Sequence, residues 1–287
     1  MMLSVEAIEA GYGGAKVLRG LEFDLGEGEA LALIGRNGMG KTTTVRALFG
    51  LLPLDAGRIV FQGRALNGQP PYAIAQAGLG LAPEGRQAFP TLTVEENLVA
   101  TAAARHGRGR WTLSEVFRLF PSLAERRRNF GAQLSGGEQQ MLAIGRALMT
   151  NPKLIVLDEA TEGLAPLVRA QIWDCLKRLK AEGQSILVID KNLKALVDLV
   201  DRIAVIEKGR IVWRGSAGAF RSEPSIVERF LHVGGACIRA AAAGVHSPDA
   251  DRPPADQASD DRRHRRPGRE RERRPRHARR RLCRPAV

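Results

Sequence analysis

The sequence is poor in cysteine, in aromatic residues and in long apolar runs. Its three cysteines, Cys175, Cys237 and Cys283, are widely spaced among 287 residues, unlike a disulfide framework or a zinc-ligand pattern. No uninterrupted apolar stretch approaches the roughly 18 residues that a membrane-spanning helix needs. The N-terminus also lacks the basic start and apolar stretch of a secretory signal. We therefore expect a protein of the reducing cytosol that does not itself cross a membrane.

Positive charge is concentrated at one end of the chain. Of the formal net charge of +13, residues 236–287 carry +8, from 15 arginines and 7 acidic residues, which leaves +5 for residues 1–235. Residues 236–287 have no aromatic residue and only four from the Val, Ile, Leu and Phe set, too few to offset the entropy of ordering them. We expect a disordered tail rich in Arg, Pro and Ala. A basic arm for nucleic acid or anionic lipid, or a C-terminus altered by a change of reading frame, are the alternatives.

Two strand patterns divide the rest of the chain. Residues 3–10 and 16–25 alternate apolar and polar side chains, which predicts a small antiparallel sheet joined by a glycine-rich turn at residues 11–14. Near-continuous aliphatic strands that each lead into a helix are typical of a parallel sheet covered on both faces. Three segments have this second pattern: residues 30–34, 154–157 and 186–189.

Helical patterns lie between the first two aliphatic strands. Residues 93–130 and 139–150 carry apolar residues at helical spacing. The simplest account is a helical subdomain, at about residues 88–150, inserted into an α/β domain of residues 1–235. The expected architecture is therefore a parallel sheet with an N-terminal antiparallel β subdomain and an inserted α-helical subdomain.

A phosphate-binding loop follows the first aliphatic strand. Glycines at its positions let backbone N–H groups converge on phosphate oxygens, and a following helix points its positive end at them. Lys41 would neutralise the β- and γ-phosphates, and the Thr42 hydroxyl would bind Mg²⁺. A glycine-rich structural turn is the alternative, but the strand before and the helix predicted over residues 41–51 favour nucleotide binding. The predicted nucleotide contacts of this segment are Gly35, Arg36, Asn37, Gly38, Met39, Gly40, Lys41, Thr42 and Thr43.

Two adjacent acids end the second aliphatic strand. A buried strand would hold Asp158 rigidly beside a magnesium ion, while Glu159 would polarise a water molecule for attack on the γ-phosphate. Paired acids after a strand are often only the beginning of a helix. The phosphate-binding loop in the same chain favours the catalytic interpretation.

The segment Leu134–Gln140 reads Leu-Ser-Gly-Gly-Glu-Gln-Gln. With the two motifs above it resembles the signature of ATP-binding-cassette ATPases, a family with a P-loop NTPase core. The resemblance implies that Ser135, Gly136, Gly137 and Glu138, at a helix N-terminus, face the γ-phosphate of ATP bound by a second subunit. It therefore implies an active site shared between two chains.

Four further positions take their expected roles from the same resemblance. Tyr12 stands where the family places an aromatic residue on adenine, with Val17 as an apolar neighbour; a turn tyrosine is the alternative. Glu84 stands where most members have a glutamine, and its carboxylate can still reach magnesium or water. Lys191 replaces the usual switch histidine. It cannot accept a hydrogen bond as histidine does, and either contacts the γ-phosphate directly or is a solvated residue at a helix start.

Several segments are similar to the smaller ATPase of branched-chain amino-acid importers. The resemblance implies an ATPase at the cytoplasmic face of the plasma membrane, with two permease subunits, a second ATPase subunit and a solute-binding protein as partners, and ATP and Mg²⁺ as cofactors. Nucleic acid is not an expected partner. Urea or short-amide importers, and soluble cassette proteins outside transport, are the alternatives. The segments are Pro83–Arg86, Phe89–Pro90, Leu92–Leu98, Gln139–Leu148 and Glu162–Pro166.

Overall fold

The computed structural model describes residues 1–103 and 109–231, and a six-stranded sheet lies at its centre. The strands are β3 Ala30–Ile34, β6 Leu79–Ala82, β7 Leu154–Asp158, β8 Ser185–Ile189, β9 Arg202–Glu207 and β10 Arg210–Ser216. Their order is β10-β9-β3-β8-β7-β6, and all neighbours are parallel except β9 and β10. Every residue of β3, β7 and β8 is buried. Burial on both faces is the reason these segments are continuous aliphatic runs.

A second, four-stranded sheet contains the N-terminal strands. Its members are β1 Leu3–Tyr12, β2 Ala15–Leu25, β4 Ala56–Phe61 and β5 Arg64–Ala65, in the antiparallel order β2-β1-β4-β5. The predicted turn at residues 11–14 is tighter than expected, because the strands continue to Tyr12 and resume at Ala15. Gly13 and Gly14 have φ of 55° and 83°, values that glycine adopts at little cost.

Ten α-helices occur within the described residues. The first five are α1 Lys41–Leu48, α2 Pro71–Ala77, α3 Val94–Val99, α4 Leu113–Leu119 and α5 Pro121–Glu125. The others are α6 Gly136–Met149, α7 Pro166–Ala181, α8 Leu193–Leu199, α9 Ala217–Ser222 and α10 Pro224–Phe230. None of them combines the length and the apolar character that a bilayer crossing requires.

Three predicted helix boundaries were wrong. The described residues of 93–130 form three short helices, α3, α4 and α5. α4 does not continue into α5, because Pro121 lacks the N–H that would extend α4 and instead begins α5. α1 ends at Leu48, not residue 51, because Gly50 follows it with a φ of 65° and donates to the Ala47 carbonyl. α6 begins at Gly136 rather than residue 139, because Ser135 caps it.

Alternating residues of the central sheet separate two apolar clusters. Ile155 and Leu157 of β7 face a cluster that includes α6 and α7, whereas Leu154 and Val156 face a cluster that includes β1, β2 and α1. The parallel sheet with an antiparallel N-terminal sheet and helices confirms the predicted fold class. The predicted disorder of residues 236–287 falls outside the described residues.

Candidate active site

The phosphate-binding loop joins β3 to α1. Gly38 and Gly40 have φ of 77° and 110°, and a Cβ on Gly35 would lie 2.4 Å from the Ile206 carbonyl oxygen. These three positions therefore favour glycine. The Lys41 side chain is 5% exposed, and its Nζ donates to the carbonyls of Gly35, at 2.9 Å, and Arg36, at 3.1 Å. The loop thus curves around a buried ammonium group, whose pKa is lowered chiefly by burial.

The remaining residues of the loop divide into an exposed tip and an anchored base. Arg36, Asn37 and Gly38 are exposed. Met39 accepts a 3.0 Å hydrogen bond at its carbonyl from the Gly209 N–H. Two further members differ in burial, since Thr42 is half-buried and Thr43 is buried. The tip is therefore open to a ligand while its base is fixed to the turn between β9 and β10.

Asp158 ends β7 beside the phosphate-binding loop. Its side chain is 3% exposed and lies close to the Thr42 hydroxyl. Burial first, and the negative charge of Glu84 second, raise its pKa to about 6. Among the described residues, Asp158 Oδ1 is buried without a hydrogen-bond partner. An orphaned carboxylate oxygen next to a hydroxyl suits Mg²⁺, which prefers oxygen ligands, so the residues present fit the ion.

Glu159 lies in an unusual backbone conformation, with a φ of 51°. Its N–H donates to the Ile189 carbonyl at 2.8 Å, which ties the loop to β8. A hydrogen bond with the Glu162 carboxylate, followed by burial, raises the pKa of Glu159 to about 7. A carboxyl group with a pKa near the working pH is suited to general acid–base chemistry.

Lys191 forms a charged cluster with two acids. Its Nζ lies 2.5 Å from Glu162 Oε1 and 3.7 Å from Glu159 Oε2. Asp190, the residue before Lys191, is fixed by two hydrogen bonds that its carboxylate accepts from the N–H and the hydroxyl of Thr161. The structure thus brings Lys191 to the predicted base; its contact with the γ-phosphate stays a prediction. Glu162 was not predicted as a site residue, although its place three residues after Glu159 was a usable signal.

The signature segment begins α6. The Ser135 hydroxyl accepts from the Glu138 N–H, and the Glu138 carboxylate accepts from the Ser135 N–H at 2.8 Å. Glu138 also pairs with Arg126. In this structure Glu138 therefore caps the helix, and its predicted nucleotide contact stays a prediction. Gly137 is buried against Val168, where a Cβ would lie 2.5 Å from a methyl carbon.

Tyr12 lies at the end of β1 and is 43% exposed. The Arg46 guanidinium lies 6.0 Å from its ring centroid and donates to its hydroxyl at 3.4 Å. Val17 is half-buried and packs against the apolar cluster beneath. An open aromatic face beside an apolar residue is suited to a purine base.

Replacing Tyr12 with alanine tests that stacking. Loss of one aromatic–base contact is expected to weaken ATP binding by about 1–3 kcal/mol without abolishing it. Isothermal titration with a non-hydrolysable ATP analogue measures the change. Tyr72→Ala is the matched control, because Tyr72 is 68% exposed on α2. Equal affinities of the two variants would contradict a role of Tyr12 in base stacking.

One buried asparagine fixes the loop that contains Glu84. Asn97 of α3 is fully buried, and its Oδ1 accepts from the Phe89 N–H at 2.9 Å. Its Nδ2 donates to the carbonyls of Phe89, Leu92 and Thr93, each at 3.0 Å. The exposed carboxylate of Glu84 lies in the part of this loop next to β6, where its charge acts on Asp158 and Glu159.

Asn97→Ala is expected to lower the free energy of unfolding by about 2–4 kcal/mol, because several buried backbone groups lose their partner. Urea denaturation followed by circular dichroism measures it. Asn67→Ala, which also removes hydrogen bonds to backbone but at an exposed position, is expected to cost less. A loss below about 1 kcal/mol for Asn97→Ala would refute its structural role.

Known proteins resemble this chain over most of its length. The sequence profile of the ABC transporter family matches residues 18–162. The high-affinity branched-chain amino acid transport ATP-binding protein BraG of Pseudomonas aeruginosa is 38% identical over 231 residues, which are 80% of this chain and 99% of that protein. The lipopolysaccharide export system ATP-binding protein LptB of Haemophilus influenzae is 31% identical over 234 residues, covering 80% of this chain and 97% of that protein.

Solved structures agree with these sequence matches. A nucleotide-free ATP-binding cassette from an ABC transporter has a TM-score of 0.69 and 28% identity, covering 81% of this chain and 99% of that one. The ADP conformation of an ATP-binding cassette of an ABC transporter has a TM-score of 0.68 and 28% identity, covering 81% and 98%. The chain therefore belongs to the ABC transporter family, in which it is an ATP-binding subunit and an ATPase.

Proposed function

We propose that this chain hydrolyses ATP to power a membrane importer of branched-chain amino acids. The observation that carries the proposal is its 38% identity to a branched-chain amino acid transport ATP-binding protein, of which it covers 99%. Relatives named for lipopolysaccharide export and for Fe(3+) import are 31% and 35% identical. The substrate class therefore rests on the first relative and on the segments around Glu84 and Glu162.

Each residue of the site has a separate role in ATP hydrolysis. Lys41 exchanges the carbonyls of Gly35 and Arg36 for the β- and γ-phosphates, at which its charge is needed. Thr42 and Asp158 would hold Mg²⁺, which when bound would neutralise phosphate charge. Glu159 orients the attacking water and takes its proton. Lys191 stabilises the negative charge that develops on the γ-phosphate.

Two chains complete each nucleotide site in this proposal. The phosphate-binding loop of one chain and the signature residues Ser135–Gly137 of the other hold one ATP between them, so that ATP favours the closed dimer and hydrolysis releases it. The second chain is either another copy or a related ATPase. Residues 1–235 form the ATPase domain, and residues 236–287 are a tail outside it.

The dimer acts on two permease subunits at the cytoplasmic face of the plasma membrane, and a solute-binding protein delivers the substrate. The surface around residues 84–98 is suited to contact the permeases. Phe89 is 42% exposed there and is held by the Arg146 guanidinium, 4.1 Å from its ring centroid. An exposed ring fixed by a neighbouring cation offers an apolar contact at little entropic cost.

The test is reconstitution of this chain with the permease subunits and the solute-binding protein of a branched-chain amino-acid importer from the same genome. Leucine, isoleucine or valine is expected to stimulate ATP hydrolysis in proteoliposomes, and only with the solute-binding protein present. If urea or a short amide stimulates ATP hydrolysis instead, the substrate is of that class and not a branched-chain amino acid. An ATPase that associates with no permease would overturn the transport function and favour a soluble cassette protein.

A further inference from the structure

We propose that Arg86 binds the γ-phosphate of the ATP held by the partner chain, together with the N-terminus of α6. This inference rests on the proposed function, because it requires the signature segment to serve the nucleotide of a second chain. Arg86 would then be a catalytic residue supplied from outside the phosphate-binding loop, and none of the motifs above assigns it that role.

The guanidinium of Arg86 lies at the N-terminus of α6. A Cβ built on Gly136 would lie 2.3 Å from one terminal nitrogen of Arg86 and 2.7 Å from its Cζ. The guanidinium therefore lies directly against the first residue of α6. The N–H groups of this first turn are those that a helix offers to an anion, and the planar donor fork of Arg86 lies next to the residue that begins it.

The charges at this place favour the binding of an anion. A cation beside the positive end of a 14-residue helix is unfavourable unless an anion lies between them. The nearby Glu138 carboxylate is already engaged by the Ser135 N–H and by Arg126. Within the described residues, Arg86 itself has no hydrogen bond or ion pair. An incoming phosphate would satisfy both positive groups at once.

The loop holds Arg86 in this position. Gly85, Arg86 and Gln87 all have positive φ, at 81°, 65° and 42°, which is uncommon for residues other than glycine. The Gln87 carbonyl accepts from Arg146 of α6. Two residues later, Asn97 holds both backbone groups of Phe89. The loop is thus fixed to the helix whose N-terminus Arg86 contacts, which reduces the entropy lost on binding a phosphate.

The same loop also reaches the other half-site of the chain. Glu84, two residues before Arg86, acts electrostatically on Asp158 and Glu159. One short segment therefore places a charge that acts on Asp158 and Glu159 and a guanidinium that lies against the signature residue Gly136. Loss of the γ-phosphate at either nucleotide site would change the charges around this one loop. The loop thus physically links the nucleotide site of its own chain with that of the partner chain.

The charge of Arg86, rather than its bulk, is tested by two substitutions. Arg86→Gln keeps a polar side chain without the charge and is expected to lower kcat about tenfold or more, as the loss of one oxyanion donor does. Arg86→Lys keeps the charge and is expected to recover part of that loss. The affinity of the single chain for ATP should change less than about twofold in both, since Arg86 does not touch its own nucleotide. Arg128→Gln, at an exposed position of the helical subdomain, is the control for charge alone.

A mixing experiment tests whether Arg86 acts across the dimer. Lys41→Ala chains lack a working phosphate loop but retain Arg86, and Arg86→Gln chains have the reverse defect. A mixed dimer has one complete site. In that site the Arg86→Gln chain supplies the intact phosphate-binding loop, and the Lys41→Ala chain supplies Arg86. The mixture is expected to hydrolyse ATP faster than the sum of the two variants measured alone.

The outcomes separate this inference from the proposed function. Wild-type protein that neither binds nor hydrolyses ATP would overturn both. Active wild-type protein with Arg86→Gln turnover within about twofold of it would overturn the inference alone. So would equal losses in Arg86→Gln and Arg86→Lys, which would indicate a packing role. A mixture that is dimeric with ATP by light scattering and still shows no gain would place Arg86 on the nucleotide of its own chain.

Discussion

Glu159→Gln is expected to lower the rate of ATP hydrolysis by about 100-fold or more while leaving ATP binding intact. Glutamine keeps the shape of the side chain but cannot take the proton of an attacking water. The change also removes one charge from the cluster with Glu162 and Lys191. Because hydrolysis is what opens the proposed dimer, the variant should accumulate as an ATP-bound dimer.

Two measurements check this expectation on purified full-length protein. Phosphate release gives the turnover, and size-exclusion chromatography with light scattering gives the mass with and without Mg²⁺–ATP. Glu125→Gln, which neutralises an exposed carboxylate of α5, is the control and should leave both unchanged. Turnover of Glu159→Gln at the wild-type rate would remove Glu159 from the role of base.

Most of the central sheet and its site follow from local sequence patterns. Continuous aliphatic strands predict a parallel sheet, and the carboxyl ends of parallel strands lie at one edge. The loop after β3 and Asp158 at the end of β7 meet at that edge as expected. Glycines at positions 35, 38 and 40 were informative because the backbone itself requires them there, through a close approach or a positive φ.

What the sequence did not predict depends on contacts between distant segments. The fixing of the loop after β6 by Asn97 was not predicted, because a buried asparagine has no local signature that separates it from an exposed one. The contact of Arg86 with Gly136 joins segments 50 residues apart in sequence. The short helices of residues 93–130 were missed for a different reason: apolar residues recur in this segment, but the cap residues Thr93 and Thr112 and the break at Pro121 divide it into separate helices.

Asp158 illustrates a conflict between stability and function at the same site. Burial and the charge of Glu84 raise its pKa from 3.8 to about 6. The folded chain therefore holds the proton more tightly than the unfolded chain does. Stability is lost as pH rises from about 4 to 6, and the cost is fully present at pH 7. A metal ligand is thus kept charged in a buried place where, without its metal, it destabilises the fold.

Asp158→Asn is accordingly expected to stabilise the metal-free chain while abolishing Mg²⁺-dependent hydrolysis. A carboxyl pKa raised to about 6 corresponds to up to about 3 kcal/mol, so we expect a gain of about 1–3 kcal/mol at pH 7 and almost none at pH 4. Thermal unfolding in EDTA at the two pH values measures it. Mg²⁺–ATP should then stabilise the wild-type protein more than the variant, because the wild type alone offers the ion its charged ligand. A variant that is less stable than the wild type at pH 7 in EDTA would mean that the Asp158 carboxylate is compensated within the fold, and the orphaned Oδ1 would no longer support a magnesium site.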